Sequence, residues 1–343
     1  MHTRLKSYIN QTLRPFYQLS SDYEILEGTP IWILPVEGRS ELSYKLRDSN
    51  FSDIIREIYG TSPGIEYYDE AIHVYLPEFI EGPISLSEHV GRGKHIYLFG
   101  EKHYSKERCG SKKISQFLKE MVQGKYVDLF LEAPYESPLP ETSNDDIDDI
   151  LITLRKDVYP NLKVHYSDMR TGDQSTEFSK LVARIHQNSD NIGAWEELVY
   201  IFKAAPEDLL NLVITRSDIQ GKLTQQLQEA DPAIINYYRG RLPDINSFIR
   251  EIEEYLEVLR RGYANTGTSN RLGKKLIEIH SVILDLYLLT QMFRSSENII
   301  IYVGDAHAEA MRGFFQEYAL TEIQKTSSET SCIDISGFKK PFW

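Results

Sequence analysis

Two stretches of this chain, far apart in the sequence, end in the same way. Ile96-Tyr97-Leu98-Phe99-Gly100-Glu101-Lys102-His103 is matched downstream by Ile301-Tyr302-Val303-Gly304-Asp305-Ala306-His307. Each is an apolar run, then a glycine, an acid, any residue and a histidine. One such string behind an apolar run is expected by chance roughly 0.01 to 0.02 times for this composition, so a pair is a constraint rather than an accident. A short apolar, β-branched run reads as a buried strand. A polar cluster at its end is what an open α/β sheet presents to ligands outside the carboxyl ends of its strands.

Between the two turns, strand and helix patterns alternate. Residues 95–99 predict a strand, 112–122 a helix, 126–131 a strand ending in Glu132, 147–158 a helix, and 162–166 a strand ending near Asp168. Residues 298–303 predict a further strand, and 308–318 a helix. Alternation at this spacing implies βαβ units, hence an α/β fold with a mostly parallel central sheet flanked by helices. Residues 178–294 read instead as nearly continuous helix, with breaks near Gly193, Pro206, Pro232, Pro243 and 266–269. Within it Ile245, Phe248, Ile249, Ile252, Tyr255, Leu256 and Leu259 form a helical apolar stripe, closed by Gly262. This predicts a large helical insertion at about 175–294 in a domain spanning 93–343. Residues 1–92 are expected to form an N-terminal α+β accessory region, with strands at 31–35 and 71–77 and a helix at 52–59. Residues 325–331 read as a polar linker, 332–335 as a last strand, and 338–343 as an aromatic tail.

Composition excludes some classes. A net charge of −13 argues against a nucleic-acid binder, since phosphate neutralisation needs a basic surface. The apolar run around residues 282–289 is broken by Asp285 and too short to span a bilayer; no secretory or lipidation signal is read, so no membrane association is expected. The two cysteines, Cys109 and Cys332, suggest neither a disulfide framework nor a cysteine metal site, and point to a reducing, cytoplasmic setting.

If neighbouring strands carry the two turns, Glu101, His103, Asp305 and His307 meet, joined by Glu132 and Asp168 from further strand ends. In an extended turn, acid and histidine two residues apart face the same way. Such a cluster suits a divalent metal that activates water, or a histidine base oriented by an acid. The alternatives are plain: a turn histidine, a capping Glu132, a turn-forming Asp168. His95 and His165 lie within strands and read as structural; His186 and His280 sit on helices and read the same way.

At Gly100 to His103, Glu132 and Gly304 to His307 the chain resembles the erythromycin esterase-like, Tiki and TraB superfamily, which includes ChaN-like proteins. The segments Asp285-Leu286-Tyr287 and His165-Tyr166-Ser167-Asp168-Met169-Arg170 resemble members from large DNA viruses. The resemblance implies His103, His307, Glu101 and Glu132 as catalytic residues, or as ligands of a manganese, cobalt or zinc ion. It further suggests Asp305, Asp168, Arg170 and Arg108 as supporting or substrate-binding groups. Hydrolysis of an ester or amide in a small molecule or peptide is then expected. The alternative is an inactive scaffold, virion-associated or host-interacting, in which the helical insertion, the 22 tyrosines and the aromatic tail contact protein partners; a viral member would lie in host cytoplasm or virion.

Overall fold

The computed structural model describes residues 24–25, 31–35, 64–67, 71–75, 79–102, 112–134, 145–154, 159–168, 170, 176–204, 208–217, 221–228, 230–263, 266–335 and 337–338, the first four segments as backbone. The expected helix at 52–59 and the tail beyond 338 lie outside these residues. The chain divides into two compact units: Met1–Gly82 with Lys106–Lys113 and Thr326–Phe342, and Pro83–Ser105 with Ile114–Lys325.

In the smaller unit β1 (Glu24–Ile25), β2 (Ile31–Pro35), β3 (Gly64–Tyr67) and β4 (Ala71–Tyr75) form an antiparallel sheet in the order β1-β2-β4-β3. The expected strands at 31–35 and 71–77 are β2 and β4.

In the larger unit β6 (Pro83–Gly91), β7 (Lys94–Glu101), β9 (Val127–Pro134), β10 (Leu162–Asp168), β11 (Asn298–Gly304) and β12 (Thr321–Ser327) form one sheet, ordered β10-β9-β11-β7-β6-β12. β10, β9, β11 and β7 run parallel, and β6 is antiparallel to β7. In the smaller unit, β5 (Phe79–Glu81) lies between β8 (Lys112–Lys113) and β13 (Cys332–Asp334).

Three boundaries move. The division falls after Gly82 rather than after residue 92, because β6 hydrogen-bonds β7 through the Arg92-Gly93 turn. Both turn residues have positive φ, 52° and 71°, as a two-residue primed hairpin requires. The polar stretch from 325 is strand up to Ser327, not linker, since β12 pairs with β6. Cys332 is disulfide-bonded, against the expectation of separate thiols; the chain's other cysteine, Cys109, lies outside the described residues. Distance along the sequence misled here: Lys106–Lys113 and Thr326–Phe342 share one compact unit, and β8 and β13 flank the same strand.

The central strands are covered on both faces, as parallel sheets require. Side chains alternate along a strand: Ile96 and Leu98 of β7 and Ile299, Ile301 and Val303 of β11 join the helical core. Phe99 instead meets Phe117 and Tyr302, Phe117 belonging to α1 (Ile114–Met121). α2 (Asp146–Thr153) packs on α1, with its acidic first turn capped by Asp145, as its helix dipole favours.

The helical insertion comprises α3 (Glu177–Gln187), α4 (Ile192–Lys203), α5 (Leu209–Ser217), α6 (Lys222–Leu227), α7 (Pro232–Arg241), α8 (Ile245–Arg260) and α9 (Thr266–Arg294). Side chains of Thr176, Asn191, Asp231 and Asp244 cap the starts of α3, α4, α7 and α8, supplying acceptors for orphaned amides. The whole predicted stripe of α8 is buried. The break expected at 266–269 is absent: these residues already belong to α9. By length and composition α9 is apolar enough to cross a membrane, yet 67% of that stretch is buried inside the protein. It packs against α3, α5, α6, α7, β9 and β10, which fixes Asp285 beneath the strand ends. α10 (Asp305–Glu317) follows β11 directly.

Candidate functional site

The chain leaves β9 for β10 at one edge of the sheet, and leaves β11 through α10 for β12 at the other. The reversal between neighbouring β9 and β11 is a topological switch point, where α/β sheets open a crevice. Glu132 and His307 meet there.

His307 is 7% exposed. Its Nδ1 lies 2.6 Å from Asp285 Oδ1. Its Nε2 lies 3.4 Å from both Glu132 Oε1 and Arg170 Nη1. A neutral ring accepts from the guanidinium there, and a protonated ring donates to the carboxylate. Burial alone would lower the His307 pKa, but the Asp285 and Glu132 carboxylates outweigh it and push it up to about 9, so near neutral pH the ring carries its charge.

Arg170 organises the remainder. Its Nη2 donates to Glu132 Oε1 at 2.8 Å, and its Nε and backbone N–H donate to Asp168 Oδ1 at 2.8 and 2.9 Å. Burial opposes its charge, and Asp168, Glu132 and Asp285 more than compensate. The other Glu132 oxygen accepts from Gly304 N–H at 2.7 Å. Charges this deep persist only when paired.

The strand ends therefore bring Glu132, Asp168, Arg170 and His307 together as the sequence suggests, and put Arg170 at the centre. Glu101 is buried at the end of β7, in register with Gly304. The two turns are thus adjacent but offset by one residue, Gly100 facing Val303. His103 and Arg108 lie outside the described residues.

Asp305 is a correction. α10 begins at Asp305, not at 308, so the second turn is not extended. Residues two apart on a helix point to different sides. His307 faces Asp285, while Asp305 turns to Ser85, whose hydroxyl donates to Asp305 Oδ1 at 2.5 Å. Arg312 donates to Ser85 and Ser87 at 2.6 and 2.9 Å, which pins α10 to β6. Gly100 is needed for this approach: a Cβ there would lie 2.3 Å from Asp305 Oδ1 and 2.5 Å from Ser85 Oγ.

The sequence reading also missed Asp285 as the partner of His307, although it marked the residue as the break in an apolar run. A lone charge in an apolar helix must find a buried partner; that was the available signal. Of the other histidines, His95 pairs with Glu88 and His165 with Asp128, within the sheet as expected. His280 meets Ser179 at 3.0 Å; burial, then the Arg170 charge, lowers its pKa to about 3, so it stays neutral.

A cavity of about 390 Å³ is lined in part by His307 and Asp285. α7 contributes Tyr238 and Arg241, α9 contributes Lys275, Ile279 and Asp285, and α10 contributes His307.

The described donors do not fit a metal ion as they stand. Both Glu132 oxygens accept hydrogen bonds, and a guanidinium sits 3.4 Å from the one imidazole nitrogen not held by Asp285. A divalent cation there would face that positive charge. No group of three potential ligands occurs among the described residues.

No protein-family model, curated protein or solved structure matches this chain.

Proposed function

We propose that the strand-end cluster is a hydrolytic centre for ester or amide bonds that works by proton transfer, with His307 as its acid. The observation that carries this reading is the position of His307 Nε2, midway between Glu132 and Arg170, while Asp285 holds Nδ1. Both protonation states of the ring find a partner without moving it, which is what an acid–base group must do through a catalytic cycle. In this reading Asp285 orients the imidazole. Water attacks the carbonyl carbon, a base takes its proton, and His307 protonates the leaving group. Arg170 offers positive charge to the developing oxyanion. The base is assigned to the first turn, to His103, two residues after Glu101 in the sequence. The order Gly100 to His103, Glu132, Gly304 to His307 supports kinship with the erythromycin esterase-like, Tiki and TraB proteins on the same terms.

One observation favours a second reading. Glu132, Asp168 and Arg170 satisfy one another within the protein, so the cluster can also serve as the polar keystone of an inactive scaffold whose helical block binds protein partners.

The test is a screen of p-nitrophenyl esters and peptide anilides with the full chain, its metal content measured in parallel. His307→Ala is expected to lower turnover about 10²- to 10⁴-fold, the usual worth of a general acid or base, with the circular dichroism unchanged. Turnover that survives in this variant rejects the assignment; absence of turnover in the parent chain favours the scaffold.

A further inference from the structure

The cavity beside His307 carries chemistry that hydrolysis by itself does not explain. At its floor, Tyr238 is 1% exposed and its hydroxyl makes no hydrogen bond of ordinary geometry, although the Asp285 carboxylate lies close enough to interact with it. A buried hydroxyl left this way costs free energy unless something enters to pair with it. Burial, then the Asp285 carboxylate, raises the Tyr238 pKa well above 10, so this group is a proton donor. The wall between floor and mouth is apolar, with Ile279, Val282, Leu242 and Ala310 among its residues.

At the mouth stands Arg241. No carboxylate among the described residues pairs with it. Its Nη1 donates instead to the Tyr237 hydroxyl at 2.7 Å, and that hydroxyl donates to the Ala310 carbonyl at 3.1 Å. The arrangement depends on Gly313, where an added Cβ would lie 2.5 Å from the Tyr237 oxygen. The guanidinium is therefore held on one edge and has its remaining donors free. Lys275, also lining the cavity, is committed to both oxygens of Glu251. Glu278 lines the mouth as well but lies 3.9 Å from Lys274, so Arg241 is left as the one lining cation with no carboxylate partner among the described residues. One such cation suits a single negative charge better than a doubly charged phosphate.

We infer that this cavity binds the substrate's distal part, and that the substrate is an amide or ester with an apolar body and one free carboxylate, which Arg241 receives while Tyr238 donates to a carbonyl or hydroxyl oxygen at the floor. An N-acylated amino acid has this form. The inference rests on His307 being the reacting group, because that is what makes the adjoining cavity a substrate site.

Binding separates the two claims, since it is read whether or not turnover occurs. N-acetyl-L-phenylalanine and its carboxamide, which differ only in the carboxylate, would be titrated against the full chain by ligand-observed NMR. The acid is expected to bind about tenfold more tightly, the scale of one charge-assisted contact. Arg241→Gln should erase that preference and leave the carboxamide unchanged, while Tyr238→Phe should weaken both probes several-fold. Equal affinities, a preference that survives Arg241→Gln, indifference to Tyr238→Phe, or no binding of either probe each overturns the assignment. Tighter binding of phenyl phosphate than of the acid overturns the single-charge argument. If the preference holds and no ester or amide is cleaved, the cavity stands and the hydrolytic reading falls.

Discussion

Asp285→Asn tests the centre of the site most directly, because it leaves the shape of the side chain and removes its charge. With Asp285 and Glu132 in place, the imidazole of His307 moves from its ordinary 6.5 to about 9. At 1.36 kcal/mol per pH unit, that is a preference of roughly 3 kcal/mol for the charged ring in the folded state. Because the folded pKa is raised, this stabilisation is complete below pH 6.5, decays between 6.5 and about 9, and is absent above. At 8% side-chain exposure solvent does little to screen it. The parent chain should lose stability across that window, and Asp285→Asn should remove much of the dependence as well as costing about 2 to 4 kcal/mol at pH 6.5, in the range for breaking a buried pair. The assays are urea denaturation at pH 6 and pH 9.5, and an NMR titration of the His307 ring. A parent ring that titrates near 6.5, or the same pH dependence in both proteins, would refute the electrostatic argument.

Two further outcomes follow from the packing. Gly100→Ala places a methyl group against Asp305 and Ser85 and should destabilise by about 1 to 3 kcal/mol; a neutral result in denaturation would mean that α10 is not pinned as described. Arg170→Met strands the carboxylates of Glu132 and Asp168 without their cation and should cost about 3 to 5 kcal/mol. The loss should shrink on acidification, as protonation removes the unpaired charges, and a loss that does not vary with pH would point to packing instead.

Much of the fold was legible because burial writes itself into periodicity. β9 and β11 have both faces covered, so their sequences are nearly continuous apolar runs. α8 has one covered face, and its stripe of seven apolar residues is the face that packs. β6 was not legible in this way: its Ser85, Ser87 and His89 are buried but polar, since they meet Arg312 or one another, and no strand was expected over these residues. The site divided similarly. Glu132, Asp168 and His307 could be found because each stands just past an apolar run. Asp285 could not be assigned, because nothing in a helix of one segment states which residue of another it will face.

By itself the sequence determined the strand-and-helix alternation, the parallel sheet and the set of ionisable groups at its strand ends, all of which follow from local pattern and burial. Only the tertiary structure decided how those groups pair. It placed α10 immediately after Gly304, so that Asp305 and His307 part company, and it set Asp285 against the imidazole and Arg170 between two acids. Partners in a buried charge network are chosen by three-dimensional distance and by the need to leave no charge unmatched, and neither quantity exists along a line of residues.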